Sequence, residues 1–303
     1  MSVAELEATE IAFEAPSGLW RDAWQRLKRN PGAIVGFLFV LVFVVCAIFA
    51  PWLAPHKPLD QDLSLLGKNG IPPGPSSEHW FGVDTLGRDE FSRILYGARL
   101  SLLVGVVSVA VGLSFGIVLG AIAGFFAGWI DTTVMRVMDI MLAIPGLLLA
   151  IGIVAALGPG LFHIMIAVGL TQIPIFARLL RGSVLAQKEN DFVLAARSTG
   201  VPRRKILASH ILPNSISPVI VQGTLALATA IIEVAGLSFL GLGDQNPARP
   251  EWGAMLTETN QYLQAAPWLA IIPGLAIVVS ALGFNLIGDA LREALDPKLR
   301  GRT

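Results

Sequence analysis

"GLSFGIVLGAIAGFFAG", Gly112–Gly128, sets five glycines at strict four-residue spacing: Gly112, Gly116, Gly120, Gly124 and Gly128. Between them stand almost only Leu, Ile, Val, Phe and Ala. On a helix, residues four apart share a face. The five glycines then form one smooth ridge along which a second helix backbone can approach closely, as helices do when they pack inside a bilayer. Glycine is common in membrane spans, but scatter does not put five in register. The stretch predicts an apolar helix held against a neighbour, and an all-α membrane protein around it.

The rest of the chain agrees. It has 303 residues, a mean hydropathy of +0.67, 54% hydrophobic and 15% charged residues, against about 25% charged in soluble domains. Apolar runs of the length needed to cross about 30 Å of hydrocarbon fall at 32–53, 98–128, 133–157, 161–180, 215–240 and 268–291, six transmembrane helices in all. The tight "GPG" of Gly158–Gly160 joins the third and fourth. The first run lacks a small-residue cleavage pattern and passes into "APWLAPHKP", so it reads as an uncleaved span.

Six spans place both ends on one side. Of 22 basic residues, Lys57, Lys68, Arg88, Arg93, Arg99 and Arg249 fall on one side and the other sixteen on the opposite one. The basic side is cytoplasmic, so both termini are expected there. The organisation is then a cytoplasmic tail and interfacial helix over 1–31, the first span over 32–53, an outer segment over 54–97, a transmembrane core over 98–291 and a cytoplasmic tail over 292–303. Residues 1–18 are acidic, lack periodicity and are expected to be disordered. Leu19, Trp20, Ala23, Trp24 and Leu27 share one face of the interfacial helix. Net charge is zero and no nucleic-acid partner is expected.

The cytoplasmic loop 186–213 contains "DFVLAARSTGVPRRKILASHILPN", Asp191–Asn214, the most polar stretch between apolar runs. Phe192, Ala195, Ala196 and Thr199 repeat with helical spacing, so 191–199 is expected to be a short helix. Gly200 ends it, Pro202 suits the first turn of a second helix, and that helix runs from Arg203 through Ile206 toward His210. Pro213 breaks the chain before the fifth span. The product is a helix–turn–helix knob able to dock in a groove of a soluble partner.

This stretch resembles the "EAA" loop of ATP-binding cassette (ABC) importer permeases. It matches that pattern at Ala195, Ala196, Gly200, Leu212 and Pro213, and departs from it at Leu194, where the family often has Glu, and at His210, where it has Ile. "HWFGVDTLGRDEFSRILYGARLSLLVG" (His79–Gly105), "GLSFLGLGDQNPARPEWGAML" (Gly236–Leu256) and "FNLIGDALREALDPKLR" (Phe284–Arg300) are similar to the dipeptide/oligopeptide/nickel permease subfamily. The resemblance covers nearly the whole chain after about residue 18. It points to the second of two paired permeases, the one resembling the dipeptide-permease C subunit.

The resemblance implies a type I ABC importer permease in the cytoplasmic (inner) membrane of a bacterium. Its partners would be a second homologous permease subunit, two ATP-binding subunits and an external solute-binding protein. The cargo would be dipeptides or short peptides; nickel chelates, glutathione and longer oligopeptides are the alternatives. Ala195, Ala196, Gly200, Val201, Pro202, Arg203 and Arg204 would form the ATPase-coupling loop, and Gly82, Asp84, Gly87, Arg88 and Asp89 an outer-face motif. No G-x-x-x-x-G-K-[ST] is present, so ATP and Mg²⁺ are expected on the partner ATPases and no cofactor in this chain. No nucleophile–base or metal-ligand grouping marks an enzyme.

Single residues sharpen the picture. Glu233 is the one acid well inside a span, a cost that points to a bundle-facing or cavity-facing role. It is either a pathway group for a peptide's amino end or a hydrogen-bonding group between helices. Asp84, Arg88, Asp89 and Arg93 precede the second span. They suit an outer docking surface, a salt-bridged helix cap with Asp84-Thr85 near the start, or both. His163 and His210 have no partner at metal spacing, and Cys46 sits alone in an apolar run. Asp131, Arg136 and Asp139 suit solvated pairs at a helix end; Met135, Met138 and Met141 suit helix packing. An ion-gradient secondary transporter is the alternative from another class. It would show more polar groups in the membrane and a site made of broken helices.

Overall fold

Local sequence signals start the helices where they start. In the protein's structure, a computed structural model, residues 19–67, 70–244 and 246–295 are described. The tails 1–18 and 296–303 lie outside the described residues, as do the side chains of Leu19 and Trp20. The elements are α1 (Leu19–Leu27), α2 (Pro31–Leu53), α3 (Glu90–Phe126), α4 (Gly128–Ala143), α5 (Gly146–Leu157), α6 (Leu161–Lys188), α7 (Asp191–Ser198), α8 (Arg203–Ile206), α9 (Ser217–Leu237), α10 (Trp252–Thr259) and α11 (Trp268–Leu295). Asn30 caps α2 by accepting from the Ala33 N–H at 3.2 Å, with Pro31 at the first turn, where its missing N–H costs nothing. Among the described residues there is no β-strand, only one isolated bridge between Val83 and Asp89.

The glycine ridge lies on α3 and meets α6. A Cβ added at Gly112 would sit 2.8 Å from the Gly169 carbonyl oxygen, one at Gly120 2.5 Å from that of Ala177, and one at Gly124 2.9 Å from Val184 Cγ1. At Gly116 it would strike Phe176 Cβ. Phe176, Ala177, Leu180 and Val184 are fully buried there. The ridge has four members and not five. Helix α3 stops at Phe126, Ala127 turns at φ 54°, and Gly128 opens α4 with nothing within 4 Å of its Cβ position. A second close crossing, absent from the sequence reading, joins α2 to α11. There a Cβ at Gly36 would sit 2.8 Å from the Gly283 carbonyl oxygen.

Three expectations change. Helix α3 begins at Glu90 rather than 98, because Asp89 caps it, accepting from the Ser92 N–H at 2.8 Å. Its 37 residues span about 55 Å, more than the hydrocarbon thickness. The third span, expected as one helix over 133–157, is two helices, α4 and α5, bent by 93°. Ile144 is extended at φ −99°, ψ 130°, as a residue before proline tends to be. Among the described residues, five helices are long and apolar enough to cross a membrane, and the bent pair makes a sixth if it counts as one span. Finally, the outer segment before α11 contains α10, capped by Glu251. Of the interfacial face on α1, Ala23 is buried and Trp24 is exposed.

Gly120→Ala should therefore lower the stability of the detergent-solubilised protein by about 1–3 kcal/mol, the usual cost of overpacking. Gly182→Ala, with open space at its Cβ position on α6, should not lower the thermal midpoint. Equal midpoints for the two variants would show that the ridge is not a close contact.

Candidate functional site

Helix α6 ends at Lys188, whose ammonium donates to the Phe125 carbonyl at the foot of α3 at 2.9 Å. The knob starts three residues later. Helix α7 closes at Thr199, and Gly200 at φ 76° takes the left-handed turn that most side chains resist. The turn is pinned by the Thr199 N–H to the Ala195 carbonyl at 3.1 Å, Gly200 to Arg197 at 3.0 Å and Val201 to Ala196 at 3.1 Å. Pro202 stands at the N-cap of α8, and its carbonyl accepts from Lys205 and Ile206 at 2.9 and 3.0 Å.

The second helix is α-helical only to Ile206, then π-helical over Leu207–Ile211, then α-helical over Leu212–Ser215. Val193, Ala196, Ile206 and Ile211 are buried and fasten the knob to the bundle. Phe192, Leu194, Ala195, Arg203, Arg204 and Lys205 are exposed. Ala195 and Ala196 thus face opposite ways, one outward and one into the core. Leu194, at the position where the resembling pattern has Glu, adds an apolar group to the exposed face. A groove of about 620 Å³ beside Gly200, lined by Phe125, Lys188, Arg197 and Arg203, gives this face a basic border.

Glu233 on α9 lines a separate cavity of about 280 Å³ where α4 breaks from α5. A Cβ at Gly146, the first residue of α5, would lie 3.9 Å from Glu233 Oε1. Its Oε2 is buried and lacks a hydrogen-bond partner among the described residues. Gln172 on α6 lines the same cavity and is likewise unpartnered at both amide atoms. The sequence reading passed over Gln172; its signal was an amide in the middle of an apolar run, directly before "IP". The cavity joins the Glu233 carboxyl, the amides of Gln172 and Gln222 and two threonines, Thr171 and Thr229, with apolar walls.

The outer-face residues come together in one turn. The Asp84 N–H donates to the Arg88 carbonyl at 2.8 Å and that of Gly87 to Asp84 at 3.1 Å. Gly87, at φ 72°, leaves room for the Asp62 backbone, which occupies the place of its missing Cβ. Gly82 does the same for Pro73, whose carbonyl oxygen lies 2.7 Å from the Cβ position. Asp84 does not cap α3; Asp89 does. Asp84 instead accepts from the Leu86 and Arg88 N–H groups at 2.9 Å each and pairs with the side chains of Arg88 and Arg93.

Glu258 at the end of α10 completes the network. It accepts from both guanidiniums at 2.9 Å. Arg88 also donates to the Pro247 carbonyl at 2.7 Å. Arg88 and Arg93 are each 1% exposed, a depth that charged groups reach only when paired. Nearby, buried Glu251 accepts from the Gly253 and Ala254 N–H groups at 2.9 and 3.0 Å. Burial pushes its carboxyl up, against the pull of those donors. Trp252 donates its indole N–H to the Ile94 carbonyl at 3.2 Å, locking α10 onto α3.

The remaining expected residues have structural places. Asp131 and Asp139 pair with Arg181 and Arg178 of α6 rather than with Arg136. Met138 is buried with Met135 and Met141 in a small cluster against Ile173 and Ala177. His163 Nδ1 lies 2.8 Å from the Gly158 carbonyl. Histidines at positions the sequence reading did not weigh, His56 and His79, meet Asp89 at the outer end of α3.

Comparison with known proteins places this geometry. Residues 116–301 match the family described as binding-protein-dependent transport system inner membrane component, and residues 18–73 match the N-terminal TM domain of oligopeptide transport permease C. The chain is 50% identical over 281 residues to the dipeptide transport system permease protein DppC of Alkalihalophilus pseudofirmus, covering 93% of this chain and 90% of the relative. It is 48% identical over 282 residues to the glutathione transport system permease protein GsiD of Escherichia coli O157:H7, covering 93% and 91%. Among solved structures, the MetNI methionine ABC transporter in inward-facing conformations covers 67% of this chain and 96% of its own, with a TM-score of 0.55 and 17% identity. That last likeness is one of fold, the type I ABC importer permease fold.

Asp84→Ala should cost about 3–5 kcal/mol, because it leaves two buried guanidiniums short of a partner. Asp84→Asn keeps the acceptor for Leu86 and Arg88 N–H and should cost less. Recovery of monodisperse protein by size-exclusion chromatography ranks the two, and equal recovery of both with wild type would refute the buried network.

Proposed function

The chain belongs to the family of binding-protein-dependent transport system inner membrane components, and we propose that within it the chain carries dipeptides or short peptides. As a permease subunit of an ABC importer it is a non-catalytic, multi-pass inner-membrane protein that works with ATPase and binding-protein subunits. The observation that carries the peptide reading is the 50% identity to a dipeptide permease over 93% of the chain. The finer assembly is also a proposal: a second, homologous permease beside this one, two ATPases that hold ATP and Mg²⁺ under the knob, and both termini in the cytoplasm.

In this reading the knob receives the ATPase. Its exposed face offers Leu194, Ala195, Arg203 and Arg204, while Val193, Ala196, Ile206 and Ile211 bind it to the bundle. Closure of the ATPases moves the knob, and the spans follow because the packed core shifts between arrangements rather than deforming. ATP needs only to favour one of two arrangements. Glu233 meets the protonated amino group of the peptide in the cavity, and unpaired Gln172 offers a donor and an acceptor to its amide backbone. The broken third span and Gln172 are features that a gradient-driven carrier would also show. Membership of the ABC importer family decides for ATP.

The test is uptake into proteoliposomes holding this chain with its co-purified partners, with binding protein and labelled dipeptide outside and ATP inside. ATP-dependent accumulation that requires the binding protein is expected. Accumulation of glutathione but not dipeptide would replace the cargo and keep the machine. Uptake that persists without ATP and stops when ion gradients collapse would overturn both.

Two variants divide the mechanism. Gly200→Val has open space at its Cβ position, with nothing within 4 Å, but a β-branched residue at positive φ costs about 1–2 kcal/mol. Membrane insertion should be normal while ATP hydrolysis no longer drives uptake. Glu233→Gln should raise KM about tenfold for peptides with a free amino end, the loss of one charge-assisted hydrogen bond, and leave N-acetylated peptides unaffected.

A further inference from the structure

We propose that His56, His79 and Asp89 form a Zn²⁺ site that clips the chain leaving α2 to the first turn of α3. The three side chains come from different segments, and their ligand atoms all lie within 4.8 Å of one another. His79 Nδ1 is 2.9 Å and His56 Nδ1 3.7 Å from Asp89 Oδ1. Around a tetrahedral zinc with bonds of about 2.0–2.2 Å, ligand atoms stand roughly 3.3–3.5 Å apart. The two measured separations bracket that value. The His56 and His79 nitrogens, which lie within 4.8 Å of each other, would close toward the same value as the ion is seated.

A hydrogen-bonded trio accounts for only part of this geometry. Asp89 and His79 suffice for each other. His56 Nδ1 is buried, too far from Asp89 for a hydrogen bond, and has no other partner among the described residues. A buried, unpartnered imidazole nitrogen beside a shared carboxylate oxygen is what a cation would use. Two imidazoles and one carboxylate suit zinc, with water as a fourth ligand. The side chains of His56 and His79 are 35% and 14% exposed, so an ion can enter.

The backbone holds the ligands in place beforehand. The His56 N–H donates to Ser92 Oγ at 3.2 Å, and the His79 N–H to Ser76 Oγ at 3.0 Å. The His79 carbonyl accepts from Ser76 and Gly82 at 2.8 and 2.9 Å. Asp89 uses Oδ2 for the α3 cap, leaving Oδ1 for the ion. The site lies at the opposite end of α3 from the knob, so metal here acts on the outer frame and not on ATPase docking.

The purified importer complex, free of polyhistidine tags and stripped with a chelator, is titrated with Zn²⁺ and then with Co²⁺. Wild type should bind one Zn²⁺ more per complex than His56→Ala, and Co²⁺ should give the visible absorption of a tetrahedral centre only in wild type. Zinc should raise the thermal midpoint of wild type and not that of His56→Ala. That variant loses the ring contact of His56 with His79, 4.8 Å between centroids, but no side-chain hydrogen bond, so a cooperative zinc-free melt close to that of wild type certifies its folding. His79→Ala should weaken the same site at least about tenfold. Identical zinc stoichiometry and affinity in wild type and His56→Ala would overturn the proposal, as would a cobalt spectrum unchanged by the substitution.

Discussion

Everything else in the molecule is placed by the contact between α3 and α6. In a bilayer, lipid tails solvate a leucine as well as a neighbouring helix does, so apolar surface alone does not join two spans. Close backbone approach does, through the summed contacts of many atoms. Gly112, Gly116, Gly120 and Gly124 remove the Cβ atoms that would keep α6 away, and Phe176, Ala177, Leu180 and Val184 fill the space. The polar groups at the foot of this pair then act on helices already fixed. Lys188 reaches Phe125, and Arg181 pairs with Asp131. The knob emerges from a platform that cannot slide along α3.

The same helix organises the opposite face. Because α3 continues past the hydrocarbon to Glu90, its first turns become the floor on which the outer segment is built. Asp84, Arg88, Arg93 and Glu258 bury charge there, and burial of ions is stabilising only when each is paired and oriented. The value of such a network lies in specificity: an apolar floor would accept α10 in several registers, while two guanidiniums sharing one carboxylate accept one. Trp252 and Glu251 fix the start of α10 in the same way. One rod of about 55 Å therefore runs from the foot of the knob to the outer segment.

The legible features were those written within a few turns of chain. Four of the five ridge glycines, the knob with its Gly200 turn, and the spans at 32–53 and 268–291 follow from spacing alone. Gly128 misled because four-residue spacing continues through a point where the backbone does not. Ala127 and Gly128 both adopt positive φ. The break at Pro145 was visible as a proline inside an apolar run, but prolines at 174 and 273 sit inside unbroken helices, so the residue type does not separate the cases. What stayed hidden was long-range pairing. Glu258 is 170 residues from Arg88, and no local pattern assigns it a partner. The cap moved from Asp84 to Asp89 for the same reason, since Asp84 is claimed by arginines that only the turn brings near.

The bent third span is where the fold opens a polar cavity among apolar helices. A continuous helix would have satisfied its own backbone and offered the cavity only side chains. The break leaves the first N–H groups of α5 without carbonyl partners within the helix, and these carry a partial positive charge. Glu233 Oε1 faces Gly146, the first residue of that helix. The carboxyl lies near the start of that helix with its Oε2 unpartnered among the described residues, and no arginine is paired with it there. Had a basic side chain stood in its place, the group would be a structural ion pair like those of the outer face. Asp84 and Glu258 are paired with guanidiniums and hold shape, while Glu233 keeps one oxygen unpartnered among the described residues, as the proposed pathway role requires.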